Sequence, residues 1–179
     1  MAVLTKIETP LGTVIASSDG QSLTGLWFEG QKYECSFVED PVLDDSLPLW
    51  KNVKHALEEY FQGVGDVAPA VPIAFVGGTA FQKAVWDVLT EIPYQTVWTY
   101  KDVAERIGEK LGRKTSSRAV GTAIGRNPIS LFVPCHRVVA TTGALTGYAG
   151  GVEQKRALLT LEGHSVVKDR VMKGERHEA

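Results

Sequence analysis

The chain has 179 residues, enough for one domain or two small ones, and its 44% apolar and 22% charged content is that of a globular protein rather than a disordered one. No apolar run approaches the ~18 residues a membrane-spanning helix needs. The N-terminus lacks the basic-then-apolar pattern of a signal peptide, and two cysteines are too few for a disulfide scaffold or a Cys-rich zinc site. A net charge of −2 hides an asymmetry: residues 1–78 carry four Lys/Arg against eleven Asp/Glu (−7), whereas residues 100–140 carry eight against three (+5). The second part suits a polyanion, unless surface charge merely clusters. A reducing, cytoplasmic setting is expected, because a disulfide would consume both thiols.

Residues 3–8, 12–18 and 23–28 read as short strands, with turns at Thr9-Pro-Leu-Gly12 and Ser18-Asp-Gly20, which makes a small antiparallel meander. Residues 29–48 are acidic and irregular. Trp50, Val53, Leu57 and Phe61 then recur at helical spacing, closed by Gly63. One more strand is expected near 71–76, with a domain boundary near Gly77-Gly78. Cys35, in a polar loop, and His55, among charged helix positions, look incidental.

The second half is helical. Thr79 caps a helix whose face is Phe81, Val85, Val88, Leu89 and Ile92. Thr99 with Asp102 resembles a capping box opening a short helix through Tyr100, Val103, Ala104 and Ile107. A basic loop with Lys110, Arg113 and Lys114 leads to a third helix, capped by Ser116 or Ser117 and running to about Gly125. Helix, loop, helix is a helix-turn-helix pattern, here with a long loop. The third helix presents Arg118, Gly121, Thr122 and Gly125 on one face and Ala119, Val120, Ala123 and Ile124 on the other. A base-reading helix carries several long polar side chains. This face carries one, which suits close contact with DNA without strong sequence reading, or plain packing of small residues.

The apolar run Ile129–Val133 has the length of a buried strand or extended segment, and Pro134 holds Val133 extended. Cys135 follows at once, with His136 and Arg137 behind it. A thiol with cationic neighbours favours its reactive thiolate, so Cys135 is the candidate nucleophile, against the alternative of an inert core cysteine. On an extended segment His136 points away from Cys135, so a bend or a bridging water is needed to couple them. No oxyanion device for a hydrolase is visible. Thr141-Thr-Gly143 is a turn, and Gly147-Tyr-Ala-Gly-Gly151 is a loop able to approach a ligand closely or simply to flex. A helix over 152–162 ends at Gly163. Glu162 sits at its C-terminal end, where the dipole disfavours a carboxylate and a cation such as His136 or Arg137 would offset that cost. His164 and His177 lie in weakly structured surroundings. Residues 168–179 are expected to be a frayed, charged tail.

Pro134-Cys-His-Arg-Val138, together with Arg118-Ala-Val-Gly121, Asn127-Pro128, Ile92-Pro-Tyr94 and Tyr148-Ala-Gly-Gly151, resembles the 6-O-alkylguanine-DNA alkyltransferases. The match is close over residues 79–163 and looser over 1–78. The resemblance implies an α/β (α+β) fold: a ribonuclease H-like N-terminal domain (1–78), with its small antiparallel sheet and helix, then a mostly helical, winged-helix-like domain with the helix-turn-helix (79–167). It implies a single-turnover DNA-repair protein in which Cys135 takes the alkyl group from guanine oxygen-6, and from 4-O-alkylthymine, as a stable thioether. His136, Glu162 and a water would relay the thiol proton, and Tyr100 would donate to the base and crowd the phosphate beside it. Asn127 would tie the helix-turn-helix to the nucleophile. Arg118 would fill the space left by the flipped nucleotide, offsetting a flipping cost of a few kcal/mol.

By the same resemblance, Thr99, Tyr100, Arg113, Lys114, Ser117, Gly121, Thr122 and Arg126 would contact DNA. Pro134, Val138, Tyr148, Ala149 and Gly150 would wall the base pocket. The partner implied is double-stranded DNA containing alkylated guanine, met by a monomer able to assemble cooperatively on it, in the cytoplasm or nucleoid and away from membranes. Neither a cofactor nor a metal is expected, since the N-terminal half lacks the Cys/His zinc ligands of certain members. The pattern departs from other members at Ala149, where some have Ser, at Ser130 and Thr146, where some have Pro and Gly, and in a longer 110–116 loop. The first departure removes one hydrogen bond to the base, the second bears on bulky alkyl groups, and the third bears on phosphate contacts. Two rivals stand beside this reading. A damage binder without chemistry is opposed by the presence of Cys135. A sequence-specific regulator is opposed by the sparse third helix.

Overall fold

The computed structural model describes residues 1–67 and 70–172. It divides into two compact units: Met1–Gly78 with Pro128–Phe132, and Thr79–Asn127 with the chain from Val133 onward.

In the first unit, β1 (Ala2–Thr9), β2 (Gly12–Ser18) and β3 (Leu23–Phe28) form the expected meander. The acidic stretch is less irregular than its composition suggests: β4 (Pro41–Leu43) adds a parallel edge beside β1, giving the order β3-β2-β1-β4. Helix α1 (Leu49–Phe61) buries Trp50, Val53, Ala56, Leu57 and Tyr60, and packs on β1. Gly25 lies under Trp27, whose indole a Cβ at that position would overlap.

The other sheet edge, β3, is fully buried, and its polar groups are answered locally. Leu23 donates to Pro72 O (2.9 Å) and accepts from Ala74 N (3.0 Å). The strand expected near 71–76 is thus a single bridge at Ile73, since Pro72 has no N–H to continue a ladder. Further along β3, Leu26 donates to Pro128 O (2.8 Å) and accepts from Ser130 N (3.0 Å). Residues 128–132, expected within the second domain, therefore belong to the first unit, because they cover an edge that would otherwise expose unpaired backbone groups.

The second unit begins with α2 (Ala80–Leu89), opened by a full capping box between Thr79 and Gln82. Strand β5 (Trp98–Thr99) runs straight into α3 (Tyr100–Leu111), capped by Thr99 and Asp102. Gly112 closes α3 in the left-handed region (φ 67°), and Ser116 caps α4 (Ser117–Ile124). The buried face of α2 includes Trp86, absent from the expected stripe, whose indole N–H donates to Ala123 O at 2.9 Å and ties α2 to α4. Phe81 is only half-buried, and Ala119, expected on the packed face of α4, is exposed.

Strand β6 (Val138–Val139) pairs parallel with β5, Trp98 opposite Val138 and Thr99 opposite Val139. Helix α5 (Val152–Leu161) follows. The expected frayed tail instead begins with a hairpin of β7 (Val166–Val167) and β8 (Arg170–Val171). Val171 is buried with Val97, Val139, Leu145 and Leu159, and that apolar contact is what orders it. Residues 173–179, with His177, lie outside the described residues.

Candidate active site and nucleic-acid interface

The nucleophile segment is bent, not extended. Pro134 sits at φ −80°, ψ 64°, the geometry of an inverse γ-turn, closed by Cys135 N donating to Val133 O at 2.8 Å. Cys135–Arg137 then form one turn of 3-10 helix, with Arg137 N on Pro134 O at 3.0 Å, before Val138 returns to extended backbone. Proline dictates this by locking its own φ and leaving no N–H of its own to satisfy. Because the turn is helical, the alternation argued for His136 does not apply. Pro134, Cys135, His136, Arg137 and Val138 are all buried.

His136 and Arg137 converge on one carboxylate. His136 Nε2 lies 2.5 Å from Glu162 Oε2. Arg137 donates through Nε to Glu162 Oε1 (2.7 Å) and through Nη2 to Oε2 (3.3 Å), while its Nη1 reaches Ile92 O (3.0 Å). Gln95 N adds a longer bond to Oε1 at 3.3 Å, and the Arg137 guanidinium lies 5.6 Å from the Tyr94 ring centre. Burial alone would raise the Glu162 carboxyl, but the charges and hydrogen bonds of His136 and Arg137 hold it well below the usual carboxylate range. Glu162 follows the last turn of α5, and both partners expected from its unfavourable dipole position, His136 and Arg137, reach its carboxylate.

Burial pushes the Cys135 thiol up, opposed by a hydrogen bond from the Asn127 side chain and by the charge of Lys155. The cations expected to favour the thiolate, His136 and Arg137, are taken by Glu162. The ammonium that acts on the sulfur is one to which nothing in the sequence drew attention. Lys155 is 1% exposed, donates to Val138 O (2.5 Å) and Thr146 O (3.0 Å), and lies 5.9 Å from the Tyr100 ring centre. Burial pushes its pKa down to about 8, against the opposing pull of Cys135. Its signal in the sequence was faint: a lysine one residue outside an apolar stripe looks like a solvated helix position.

Tyr100 opens α3 directly after β5, so the β5–β6 pairing sets it against the chain just beyond Cys135. Its hydroxyl donates to Thr146 O at 3.0 Å, and burial above all raises its pKa, which keeps the proton in place for donation. A Cβ at Gly147 would stand 3.6 Å from that hydroxyl, and one at Gly121 3.6 Å from the ring, so Tyr100 lies between α4 and the 146–151 loop. Tyr148, Ala149 and Gly150 are half-buried in that loop, which Gly151 N closes on Tyr148 O (3.0 Å). Asn127, buried, donates to Val133 O at 2.9 Å.

On the helix-turn-helix, Arg118 and Thr122 are exposed with Gly121 between them, and Ser117 and Lys114 are exposed beside them. Arg126 is half-buried at the end of α4. A groove of about 690 Å³ between α3 and the 112–116 loop is lined in part by Lys101, Arg113, Lys114 and Ser117. Three residues are partly committed elsewhere. Arg113 stacks 5.9 Å from the Phe81 ring centre, and the Thr99 hydroxyl accepts the Asp102 N–H (3.0 Å) as a cap. Lys110, expected in the basic loop, ends α3 and pairs with Glu91 at 2.5 Å. His164, expected in loose surroundings, is buried. Among the described residues no group of three His, Cys, Asp or Glu is placed to hold a metal ion.

Comparison with known proteins converges on one family. Residues 80–164 match the family model described as 6-O-methylguanine DNA methyltransferase, DNA binding domain, and residues 3–75 match its ribonuclease-like domain. A methylated-DNA–protein-cysteine methyltransferase of Haemophilus influenzae is 40% identical over 160 residues, covering 88% of this chain and 84% of the relative. One from Methanosarcina acetivorans is 39% identical, covering 87% and 95%. Among solved structures, Mycobacterium tuberculosis OGT in complex with DNA superposes with a TM-score of 0.78 at 35% identity, over 89% of this chain and 92% of that one.

Proposed function

We propose a function from one premise: the chain belongs to the 6-O-methylguanine DNA methyltransferase family. It is a DNA-repair protein that moves an alkyl group from damaged DNA onto one of its own cysteines, once per molecule. The acceptor is Cys135. The observation that carries this choice is the contrast between the two thiols. Cys135 opens the buried 3-10 turn whose next two residues bind Glu162, inside the matched DNA-binding domain, whereas Cys35 is half-buried in the ribonuclease-like domain beside exposed Glu34.

The substrate is 6-O-alkylguanine in duplex DNA, with 4-O-alkylthymine open to the same displacement at an exocyclic oxygen. The Cys135 sulfur attacks the alkyl carbon in line. The S–C bond forms as the C–O bond breaks, the electron pair stays on oxygen, and the thiol proton ends on the restored guanine. His136, braced by Glu162, draws that proton through a water. Arg137, on the same carboxylate, keeps the turn from rotating. The Tyr100 hydroxyl exchanges its Thr146 partner for the base, offsetting charge that develops on the leaving group. Val138, Pro134 and the Tyr148–Gly150 loop wall the base. Arg118 enters the stack from α4, where Gly121 and Thr122 permit close approach, and Lys114, Arg113, Arg126, Ser117 and Thr99 border the phosphates. The protein acts as a monomer, within reach of the nucleoid.

The test is the intact mass of the protein after incubation with duplex DNA bearing a labelled methyl on guanine oxygen-6. One methyl per molecule, lost in Cys135→Ala and kept in Cys35→Ser, is the expected result. Turnover without a lasting mass gain, or a label on Cys35, overturns the reading.

A further inference from the structure

We propose that Lys155 is the charge partner of the Cys135 thiolate, so that alkylation of the sulfur leaves a buried cation with nothing to answer it. The proposal rests on Cys135 being the acceptor.

The charges of the site divide into two sets. Glu162 answers the charge of Arg137 and binds the His136 ring. Lys155 is as deeply buried, yet among the described residues its ammonium meets two carbonyl oxygens and no carboxylate. Carbonyls satisfy its hydrogen bonds but supply no net negative charge, and a buried cation without a counter-charge is unfavourable. Its Nζ sits on Val138 O, and the Val138 N–H closes the 3-10 turn on Cys135 O, so the ammonium stands at the end of the turn that carries the sulfur. From α3 the Tyr100 ring faces it. Burial raises the Tyr100 phenol, so it stays neutral. The sulfur is then the group able to complete the pair.

Two such groups bias each other equally. Protonated Lys155 draws Cys135 toward the thiolate, and the thiolate in turn holds the Lys155 proton. Transfer of an alkyl group ends this exchange. The sulfur lone pair becomes the S–C bond, the broken C–O pair stays on the base, and the proton from the thiol goes to the base. The product thioether is neutral and does not titrate. Lys155, its burial now unopposed, releases its proton to solvent at a lower pH than before. The neutral amine keeps two N–H donors, enough for both Val138 O and Thr146 O, so its hydrogen bonds survive.

The experiment uses the full chain in a Cys35→Ser background and follows the ultraviolet absorbance of the thiolate against pH. In Lys155→Gln the Cys135 titration moves up by about one unit or more, while in Lys155→Arg it stays near the parent. Reaction with a free 6-O-alkylguanine base falls about tenfold near neutral pH in Lys155→Gln and recovers above the new titration. A purely structural loss would depress the rate at every pH. If the glutamine variant does not fold, the parent chain with isotope-labelled lysine gives the reciprocal measurement: the NMR titration of Lys155 moves down by about one unit when Cys135 is methylated with iodomethane. A Cys135 titration that superimposes on the parent in Lys155→Gln, or a Lys155 titration untouched by methylation, overturns the proposal. Neither titration involves DNA, so both stand apart from the test of alkyl transfer itself.

Discussion

Asn127 donates its side-chain amide to the carbonyl of Val133 at 2.9 Å, joining the chain across the excursion 128–132, and its side chain also bonds the Cys135 thiol. One buried amide thus fixes where the segment leaves, where it returns and how the sulfur sits. Asn127→Ala is expected to cost about 1–3 kcal/mol, because it strands a buried carbonyl. The same change should raise the thiol titration. Urea unfolding and a pH–rate profile check the two effects separately.

Glu162 gives the fold a pH dependence of definite sign. Its folded carboxyl lies below its unfolded value, so its contribution is present above the ordinary Glu titration near ~4.3 and is lost as pH falls from there toward the lower folded value. Urea unfolding at pH 7 and pH 3 should show the parent losing more stability than Glu162→Gln over that window. At pH 7 the glutamine variant should already be weaker by roughly 3–5 kcal/mol, since Arg137 loses the charge that answers it in a buried site. It should also transfer alkyl groups slowly. Equal pH slopes in the two proteins would refute this role.

Arg118→Ala should slow repair of duplex DNA roughly tenfold or more, because flipping a nucleotide costs a few kcal/mol that an inserted side chain offsets. Its reaction with the free modified base should be unchanged, because the exposed Arg118 side chain stands on α4 and not among the groups around Cys135. Equal losses on both substrates would refute the intercalating role.

Trp86→Phe keeps the ring in the core but deletes the bond to Ala123 O. A loss of about 1–3 kcal/mol is expected in chemical unfolding. Because that bond seats α4, affinity for duplex DNA should fall more than reactivity toward the free base. The two assays, run on one preparation, decide it.

Much of this was readable in the residues because the signals are local. Thr79, Thr99 and Ser116 cap helices for reasons contained within four residues. The unfavourable dipole position of Glu162 asked for a cation and found Arg137, with the His136 imidazole bonded to the same carboxylate. What escaped was set by distant partners. Lys155 is held by carbonyls of Val138 and Thr146, and a carbonyl leaves no mark in a sequence. Trp86 likewise bonds a backbone oxygen 37 positions away. The run 129–133 looked like a strand because it is apolar. Nothing in Ser130-Leu-Phe132 announces Leu131 at φ 69°, a strain of about 1–3 kcal/mol carried by the surroundings. β4 was hidden in the same way: three exposed residues in acidic company form a strand only because β1 offers them an edge.

The C-terminal hairpin has a practical consequence for where the chain can be cut. Asp169 O accepts from Leu145 N (2.8 Å), and Val171 N donates to Gly143 O (2.9 Å), so this late segment braces the turn from which the 146–151 loop departs. A fragment trimmed at Ser165 would keep every residue assigned to chemistry and still lose the footing of the 146–151 loop. The shortest working version of the protein should therefore extend to position 171, past the last helix.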